Sequence, residues 1–587
     1  MDPRTFIAVA FVALAAVASA AEEFVCSRKS GVTKAEYLDL MEAAVASYSD
    51  EHIKQYIGKC AREGVQEHGF PRLAANLACL VANGRMPGKR DFLERMMSIS
   101  CSSAPKGPMK FEGNEFSVKE LAAAICELER AKVFDRSVTE AWRADIRAVD
   151  AAKCYRVQLR TDGKRVNNWL VFGCASEQAR IALGMGGDAE RVEKCVADQL
   201  RWFDANGMYK DPNQPAVYDI VTRLQFMVIL HYGYNGPSRA KLEEFLDRAA
   251  EPTLAMLSAT GEIPYGGRSN QFLHNHTFYA GVCEWYAARY HAQGDDRKAA
   301  RFRRAAREAV DSLRRWLAVR PVRHVKNFYP TGAGKRGTGM GCEGYAYFDK
   351  YMVTMGSWAM LSWLLADETV PVLPPEASKP VAFATTPDFH VVSLRAGDYS
   401  AQFDYDADTH YDCDGLGRIQ RKGAPPTICL SVPCAEKPSY AIERPNKGSL
   451  SILPVGDGVL APDGSGVDGD CAWANWKKGD KAWKCRLSPK GMNMTLSGSG
   501  AVALTLPAFE FDGEQNAEIA CDGKSLSVRY RGWLCCYSTD GTIVDTGDVC
   551  CNRNGRYRVF KAQGENALSV RVEIVGTTHQ LANSPTR

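Results

Sequence analysis

The stretch that decides the fold is NQFLHNHTFYAGVCEWYAARYHA (270–292), followed by the turn QGDD (293–296) and the return RKAARFRRAAREAVDSLRRWLA (297–318). The first segment is rich in aromatic and apolar residues, whereas the second has a strongly charged face. A helix that is apolar all round has to be covered by other elements, and one with a charged face can lie outside it. The pair therefore predicts a hairpin of one inner and one outer helix.

Two earlier parts of the chain repeat this arrangement. One begins NNWLVFGCASEQARIALG (167–184) and returns through RVEKCVADQLRWFDANGMY (191–209). The other begins VYDIVTRLQFMVILHYG (217–233) and returns through AKLEEFLDRAAEPTLAML (240–257). Repeated hairpins of this kind predict a ring of helices, an incomplete α/α toroid over residues 25–367. An open solenoid is the alternative, and the number of helices does not exclude it.

The C-terminal part has a different pattern. Residues 368–387 contain five prolines and predict a linker. Beyond them, segments such as HVVSLRAGDYSAQFDYD (390–406) and MTLSGSGAVALTLPAFEFDG (494–513) alternate with a period of two, between glycine-containing turns. We therefore expect residues 388–587 to form an antiparallel β-sandwich domain.

Residues 1–20, MDPRTFIAVAFVALAAVASA, have the pattern of a secretory signal peptide. Arg4 precedes an apolar run, and Ala18-Ser19-Ala20 supplies a cleavage motif. The run is too short to span a bilayer, and a buried N-terminal helix fits the uniformly apolar stretch poorly. We expect a secreted or periplasmic protein, cleaved near Ala20, with no stable membrane insertion.

Composition narrows the possible partners. The net charge of +4 is small for 587 residues, and no basic stripe with interleaved aromatic residues is present, so nucleic acid is not an expected partner. Nothing in the composition favours one oligomeric state. An exported chain with 20 cysteines is a candidate for disulfide bonds, and adjacent pairs that could form them are Cys535-Cys536 and Cys550-Cys551.

The candidate site lies at the start of the inner helix quoted first. His274, Asn275 and His276 are consecutive, and the preceding loop GEIPYGGRS contributes Arg268 and Tyr265. The amino-terminal end of a helix favours anions, so an amide, an imidazole and a guanidinium there suggest a carboxylate ligand such as a uronic acid. A core histidine, hydrogen-bonded to a backbone carbonyl, is the alternative interpretation of His276.

The segment HNHTFYAG resembles the Asn-His segment on an inner helix of the toroid polysaccharide lyases, the alginate-lyase and heparinase II/III-like families. Those families join an α/α toroid to a C-terminal antiparallel β-domain, which is similar to the layout expected here. The resemblance implies that Asn275 neutralises the substrate carboxylate and that His276 takes part in proton abstraction or charge neutralisation. His274 stands where the alginate-lyase pattern has its first Asn, so the substrate of that family is not transferred.

The same resemblance implies a downstream tyrosine that protonates the leaving oxygen. GTGMGCEGYAYFDKYMVTMGSW (337–358) resembles the glycine-rich turn and tyrosine-bearing helix of those lyases, and it contains Glu343, Tyr345, Tyr347 and Tyr351. We predict Tyr345 as the acid because it leads the helix beside a glycine turn, with Tyr329 as the alternative. For either tyrosine, the alternative to catalysis is a structural role, in which the side chain packs within the ring of helices.

Further cleft residues are expected at the starts of the earlier inner helices, namely Asn168, Trp169, Tyr218, Asp219 and Arg223. Core packing is the alternative for Trp169. In the β-domain, DYDADTHYDCDGLGRIQ (404–420) is expected to reach over the mouth of the toroid with His410 and Tyr411. A Ca²⁺ or Zn²⁺ site among its aspartates is less favoured because the spacing differs from an EF-hand loop, and an acidic solvated turn is the structural alternative.

Together these features predict a lyase that cleaves an acidic polysaccharide by β-elimination and requires no metal or organic cofactor. Neutralising the uronate carboxylate would stabilise the enolate-like intermediate that forms when the C5 proton is removed. The first rival is a glycoside hydrolase, which needs a pair of carboxylates. The second is a non-catalytic glycan-binding protein. Carboxylates available to a hydrolase are Asp219, Glu262, Glu343 and Asp349.

Overall fold

The computed structural model describes residues 33–160, 168–264, 266–320, 322–326, 348–374, 379–408, 412–432, 451–455, 461–552 and 554–577. The predicted signal peptide lies outside these ranges.

Helices occupy the first part of the described chain. They are α1 (Lys34–Ala46), α2 (Asp50–Glu63), α3 (Gly69–Ala82), α4 (Arg90–Ser103), α5 (Val118–Arg130), α6 (Arg136–Arg147), α7 (Ala151–Cys154), α8 (Asn168–Ala182), α9 (Ala189–Gln199), α10 (Ala216–His231), α11 (Arg239–Arg248), α12 (Ala250–Met256), α13 (His274–Ala292), α14 (Asp296–Leu317) and α15 (Phe348–Leu365). Short 3-10 helices are Pro87–Lys89, Ala104–Lys106, Asn114–Phe116 and Leu200–Trp202.

The inner helices form a ring. Helices α3, α5, α8, α10, α13 and α15 each pack against the next, and α15 also packs against α3. Because the last inner helix contacts the first, the described helices close on themselves. This arrangement confirms the predicted helical toroid and excludes an open solenoid.

Helices α13 and α14 explain locally why the chain folds this way. Most side chains of α13 are buried, from its first turn to Tyr290. Gly294 adopts a left-handed φ of +80° in the turn, and the Asp295 carboxylate caps α14 by accepting the backbone N–H of Lys298 at 2.9 Å. Helix α14 then buries its alanine and phenylalanine face and keeps arginines such as Arg301 outside. The outer helix is therefore amphipathic and the inner helix is not, as predicted.

Antiparallel strands follow the helices. They are β1 (Val381–Ala384), β2 (Val391–Ala396), β3 (Tyr399–Asp404), β4 (Gly415–Arg421), β5 (Ala461–Asp468), β6 (Cys471–Lys478), β7 (Lys481–Ser488), β8 (Gly491–Phe511), β9 (Glu518–Cys521), β10 (Ser525–Tyr530), β11 (Trp533–Thr539), β12 (Thr542–Asn552) and β13 (Gly555–Gly576). Among the described strands, one sheet has the order β1-β2-β3-β4, and the other has the order β5-β6-β7-β8-β13-β11-β10-β9 with β12 paired to β13.

The two sheets share a core. Strand β2 of the smaller sheet packs against β6 and β7 of the larger one. The rings of Phe403 and Trp476 meet between the sheets, with centroids 4.3 Å apart. Strand β1 lies within the segment predicted as a linker and pairs with β2 in the register Val381↔Arg395. Pro380 directly precedes β1, and proline is tolerated at the beginning of an edge strand.

The sheets contact the toroid close to the candidate site. The Arg418 guanidinium donates from Nη1 to the carbonyl of Ile263 at 2.9 Å, and Thr260 donates from Oγ1 to Gln420 at 2.9 Å. These contacts hold β4 against the loop that leads into α13.

Disulfide bonds were candidates from the sequence, and a stable membrane insertion was not expected. Cys535, Cys536 and Cys550 are free thiols in this structure, so the candidate disulfides at these positions are not formed here. Among the described helices, none combines the length and the apolar character that crossing a bilayer requires.

Candidate active site

A cavity of about 940 Å³ opens where the inner helices begin. The first turns of α3, α10 and α13 and the first described turns of α8 and α15 contribute to its wall. Helix amino-termini carry partial positive charge, so this end of the ring favours an anion. Four basic side chains and three acidic ones line the cavity: Lys59, Arg72, Arg268 and Lys350, and Glu67, Glu112 and Asp349.

Asn275 lies in the first turn of α13 and lines this cavity. Its Nδ2 donates to the carbonyl of Ser269 at 2.8 Å. Ser269 has a left-handed φ of +64°, a conformation that a non-glycine residue seldom adopts. The Oδ1 atom of Asn275 is buried and has no hydrogen-bond partner in the described part of the chain. Because an unmet buried acceptor is unfavourable, the amide is prepared to receive a hydroxyl or a protonated carboxyl from a ligand.

His274 also lines the cavity, within a layer of aromatic rings. Its ring stacks on Phe272, with centroids 4.9 Å apart, and on Tyr351, at 5.6 Å. Burial, and then the positive charge of Arg72, hold the pKa of His274 well below its usual value. The imidazole is therefore neutral near pH 7.

Tyr351 completes the aromatic layer from α15. Its ring lies parallel to that of Phe272, with centroids 4.7 Å apart and 6° between the planes, and it meets the ring of His68 edge-on at 6.0 Å. Tyr351 is half-buried and lines the cavity. The tyrosines favoured from sequence, Tyr345 and Tyr329, lie outside the described residues.

Asp211 fixes two predicted binding residues at the opposite wall. Its carboxylate forms an ion pair with Arg268 and accepts the backbone and side-chain N–H groups of Asn168 at 2.9 and 3.1 Å. The Arg268 guanidinium lies 4.1 Å from the centroid of the Tyr218 ring and donates to the carbonyl of Pro212 at 2.6 Å. Arg268 is thus held rigidly at the cavity wall, as a residue that binds a carboxylate has to be.

Trp169 and Tyr218 line the cavity as expected. The Trp169 indole packs edge-on against Phe116, with centroids 4.9 Å apart, so it has one face in the aromatic core of the ring. Both predicted environments of Trp169, cleft wall and core packing, therefore apply.

His276 does not line the cavity, contrary to the prediction. It is fully buried, and its Nε2 lies 3.6 Å from Oε2 of Glu262. Burial, and then Lys326, lower its pKa to about 3 despite the opposing effect of Glu262. Adjacent residues on a helix project about 100° apart, which is why Asn275 reaches the cavity and His276 faces the core.

Asp219 and Arg223 are also absent from the cavity wall, contrary to the prediction. They form a fully buried ion pair one helical turn apart, with Nη2 and Oδ2 2.7 Å from each other. Asp219 accepts the backbone N–H of Tyr209 at 2.6 Å, and Arg223 donates to Thr253 at 2.8 Å. This face of α10 therefore points to α12 and not to the cleft.

The remaining predicted site residues, Tyr265, Glu343, His410 and Tyr411, lie outside the described residues. Of the carboxylates considered for a hydrolase, Asp349 lines the cavity. Glu262 is instead enclosed by buried donors, among them Arg315 at 2.5 Å and Trp316 at 2.9 Å.

One cluster in the cavity was missed from sequence. The Glu112 carboxylate accepts Nδ1–H and the backbone N–H of His68 and forms an ion pair with Lys350. Burial lowers the pKa of His68 to about 3, so the ring is neutral. Burial alone would raise the pKa of Glu112, but His68 and Lys350 lower it well below its usual value.

Beside this cluster, Arg72 donates to the Thr354 hydroxyl at 3.2 Å and to the carbonyl of Phe116 at 3.0 Å. These partners belong to α15 and to the 3-10 helix Asn114–Phe116, so the contacts join separate parts of the ring. Within the described ranges, no three His, Cys, Asp or Glu side chains are grouped to hold a metal ion.

No protein-family model matches the chain, and no curated protein matches it. Among solved structures it is similar to a heparinase III (8% identity, covering 85% of this chain and 79% of that one, TM-score 0.33). It is also similar to a chondroitinase AC lyase (10% identity, 93% and 84%, TM-score 0.41). A third match is a glycosyl hydrolase family 88 protein from Bacteroides vulgatus (11% identity, 57% and 98%, TM-score 0.35).

Because all three TM-scores are below 0.5, we rest the fold on the helices and sheets of this chain and take no activity from these structures.

Proposed function

We propose that this protein is a polysaccharide lyase that cleaves uronic-acid-containing glycans by β-elimination. The observation that carries the proposal is the meeting of the amino-termini of α3, α10 and α13 with Asn275 and Arg268 in one open cavity of about 940 Å³. Such a site suits a ligand that is both extended and negatively charged.

The carboxylate of the uronate is the group that this site has to neutralise. The C5 proton is weakly acidic while the adjacent carboxylate keeps its charge. Arg268, the second N–H of the Asn275 amide and the helix ends would stabilise the negative charge that moves onto the carboxylate oxygens as the proton leaves, while Asn275 Oδ1 accepts a substrate hydroxyl. This is an interaction that strengthens in the transition state, and it therefore raises the rate.

We assign the proton transfers to His274 and Tyr351. The neutral His274 ring takes the C5 proton, the electrons of the C5–H bond form the C4–C5 double bond, and the C4–O bond breaks. The Tyr351 hydroxyl then gives its proton to the leaving glycosidic oxygen. A bound carboxylate would raise the pKa of His274 from its low value in the free protein, because a nearby negative charge favours imidazolium. The ring stacking of His274 and Tyr351 supports their joint action.

The test is to incubate the purified protein with a panel of sulfated and unsulfated uronate polymers and to follow two signals. Elimination creates a C4–C5 double bond that absorbs in the ultraviolet, and it also creates a reducing end. We expect both signals to rise together on at least one polymer. A non-catalytic binding protein would give neither signal on any polymer.

A glycoside hydrolase is the second candidate, and Glu67 favours it. Burial raises the pKa of Glu67, which suits a general acid, and Glu67 and Asp349 both line the cavity. A hydrolase would release reducing ends without ultraviolet absorbance, and Glu67→Gln would abolish that release. A lyase acting through Tyr351 would retain turnover in the Glu67→Gln variant.

A further inference from the structure

A second cavity, of about 570 Å³, lies between the helical ring and the sheets. One wall is the outer helix α14, which contributes Arg301, Arg304 and Glu308. The other wall belongs to the sheet domain and contributes Arg395 and Asp398 from the β2–β3 hairpin. Among the described residues, it shares no lining residue with the cavity at the helix amino-termini.

The charge of this second cavity is strongly positive. Five basic side chains line it against two acidic ones: Arg301, Arg304, Lys379, Arg395 and Lys422 against Glu308 and Asp398.

Two of the basic groups are already matched by carboxylates. Arg301 pairs with Glu251 through two hydrogen bonds of 3.1 and 2.8 Å, and Lys422 lies 4.0 Å from Glu308.

The other three basic side chains have no carboxylate partner among the described residues. Arg304 donates to the carbonyl of Leu373 at 3.0 Å, and Arg395 donates to the carbonyl of Leu254 at 3.3 Å. Each contact uses one N–H of a guanidinium that has five. Lys379, on the segment before β1, completes the group.

Arg304 and Arg395 are half-buried and come from different domains. Bringing two partly desolvated cations to one cavity is unfavourable unless an anion compensates them. Elsewhere on the toroid the structure supplies that anion itself, as where Arg289 pairs with Asp247 at 3.1 and 3.0 Å. In the second cavity no carboxylate of the described residues pairs with Arg304, Lys379 or Arg395, so the cavity suits an anionic ligand.

We propose that this cavity binds an acidic oligosaccharide segment through its carboxylate or sulfate groups, as a second glycan site outside the active-site cavity. The identity of the ligand rests on the proposed function, whereas its anionic character rests on the unpaired cations alone. The volume exceeds that of one small oxyanion, and the cations are spread over α14, the segment before β1 and the β2–β3 hairpin. A chain with repeated negative charges matches this distribution, and guanidinium groups bind oxyanions with paired hydrogen bonds.

The experiment uses the full chain carrying Tyr351→Phe, which should slow turnover of the probe without weakening its binding in the active-site cavity. Calorimetric titration with a uronate tetrasaccharide should give two sites per chain. Adding Arg304→Gln and Arg395→Gln should remove one site or weaken it about tenfold or more, since hydrogen bonds to charged groups are lost. The matched control replaces two paired surface arginines, Arg248→Gln and Arg289→Gln, and should leave both sites intact.

A second variant keeps the proposal testable if the double variant does not fold. Lys379→Gln changes an exposed side chain and should weaken the same site by about threefold to tenfold. Retention of two equal sites in both the double variant and Lys379→Gln would overturn the proposal. Binding of inorganic sulfate without binding of the tetrasaccharide at this site would overturn it as well, because the site would then take only a small oxyanion.

Different results would refute the lyase activity and the second glycan site. Absence of a double bond in the products of the wild-type protein would refute the lyase, and it would leave a tetrasaccharide site that depends on Arg304 and Arg395. Conversely, cleavage with normal kcat and KM on a tetrasaccharide, but without the second site, would refute the second site alone.

Discussion

Asn275 and His276 are neighbours in sequence but face different environments. The Asn275 side chain lines the cavity at the helix amino-termini, whereas Nε2 of His276 lies 3.6 Å from Oε2 of Glu262 inside the fold. The turn of the helix between adjacent residues separates a group available to a ligand from a group that belongs to the core. Activity and stability should therefore respond differently to changes at these two positions.

Stability should depend on pH through His276. Its folded-state pKa is about 3, below the ordinary value of 6.5, so the unfolded chain binds a proton in this interval and the folded chain does not. The contribution of His276 to the free energy of unfolding is therefore complete above about pH 6.5 and decreases as the pH is lowered towards 3. On going from pH 7.5 to pH 5, the loss should be about 2 kcal/mol.

His276→Leu removes this proton uptake, so its free energy of unfolding should fall less between pH 7.5 and pH 5 than that of the wild type. Denaturant titrations at both values measure the difference. An equal change in the free energy of unfolding of the two proteins between pH 7.5 and pH 5 would mean that His276 is not held neutral in the folded state.

Glu262 should be far more important to stability than exposed carboxylates. It accepts hydrogen bonds from Ser312 at 2.9 Å and from Arg315 at 2.5 Å, and Lys326 lies 3.4 Å away. Glu262→Gln leaves buried cations without their counter-charge and should cost about 3–5 kcal/mol in the free energy of unfolding.

The matched control is Glu244→Gln, which removes an exposed partner of Arg248 and should cost at most about 1 kcal/mol. Equal losses in the two variants, measured by denaturant unfolding, would contradict the role given to Glu262.

Tyr351→Phe should distinguish the packing role of the Tyr351 ring from the catalytic role of its hydroxyl. Phenylalanine keeps the ring that stacks on Phe272 at 4.7 Å and loses only the hydroxyl. We expect kcat to fall about 10²–10⁴-fold with little change in KM or in the melting temperature, because a positioned acid contributes a factor of this size. Steady-state kinetics should be measured in parallel on Tyr345→Phe and Tyr329→Phe. Full activity of Tyr351→Phe beside an inactive Tyr345→Phe would return the acid to the tyrosine favoured from sequence.

Arg268 should contribute to binding of the anionic substrate, and Asp211 should contribute by holding it. Arg268→Gln is expected to raise KM about 10–100-fold, the range for hydrogen bonds between charged groups. Asp211→Asn should also raise KM, because Asp211 positions Arg268 and accepts the two N–H groups that hold Asn168. Arg248→Gln, at an exposed ion pair, is the control and should leave KM unchanged. An unchanged KM in Arg268→Gln would remove this residue from the carboxylate site.

The fold could be predicted from the sequence because its periodicities are strong. The inner helix α13 is apolar on nearly all sides, and the QGDD turn contains the glycine and the capping aspartate that the hairpin requires. Strands β2, β3 and β8 were equally readable from their alternation. Strand β1 was not, because four residues after Pro380 form a strand only by pairing with β2.

The site was predicted only in part. Asn275, His274, Arg268, Asn168 and Trp169 line one cavity, because each lies at or just before the start of an inner helix. The contact between His68 and Glu112 joins residues 44 apart in sequence, and no local pattern reveals it.

His276 was assigned to the cleft because it is adjacent to Asn275. His276, Tyr279 and Cys283 recur at spacings of three and four on one face of α13, and all three are buried. This periodicity indicated a core position for His276 and was a better guide than the similarity of the local motif.

The most direct test of the central claim is the ultraviolet absorbance of the products that wild-type protein and Asn275→Ala release from uronate polymers. In the wild type, one C4–C5 double bond should appear for each new reducing end. In Asn275→Ala both signals should fall about 10²–10³-fold because the amide that stabilises the developing charge is lost, whereas the melting temperature should fall only slightly through loss of the hydrogen bond to Ser269. Reducing ends without absorbance in the wild type, or an undiminished rate in Asn275→Ala, would contradict it.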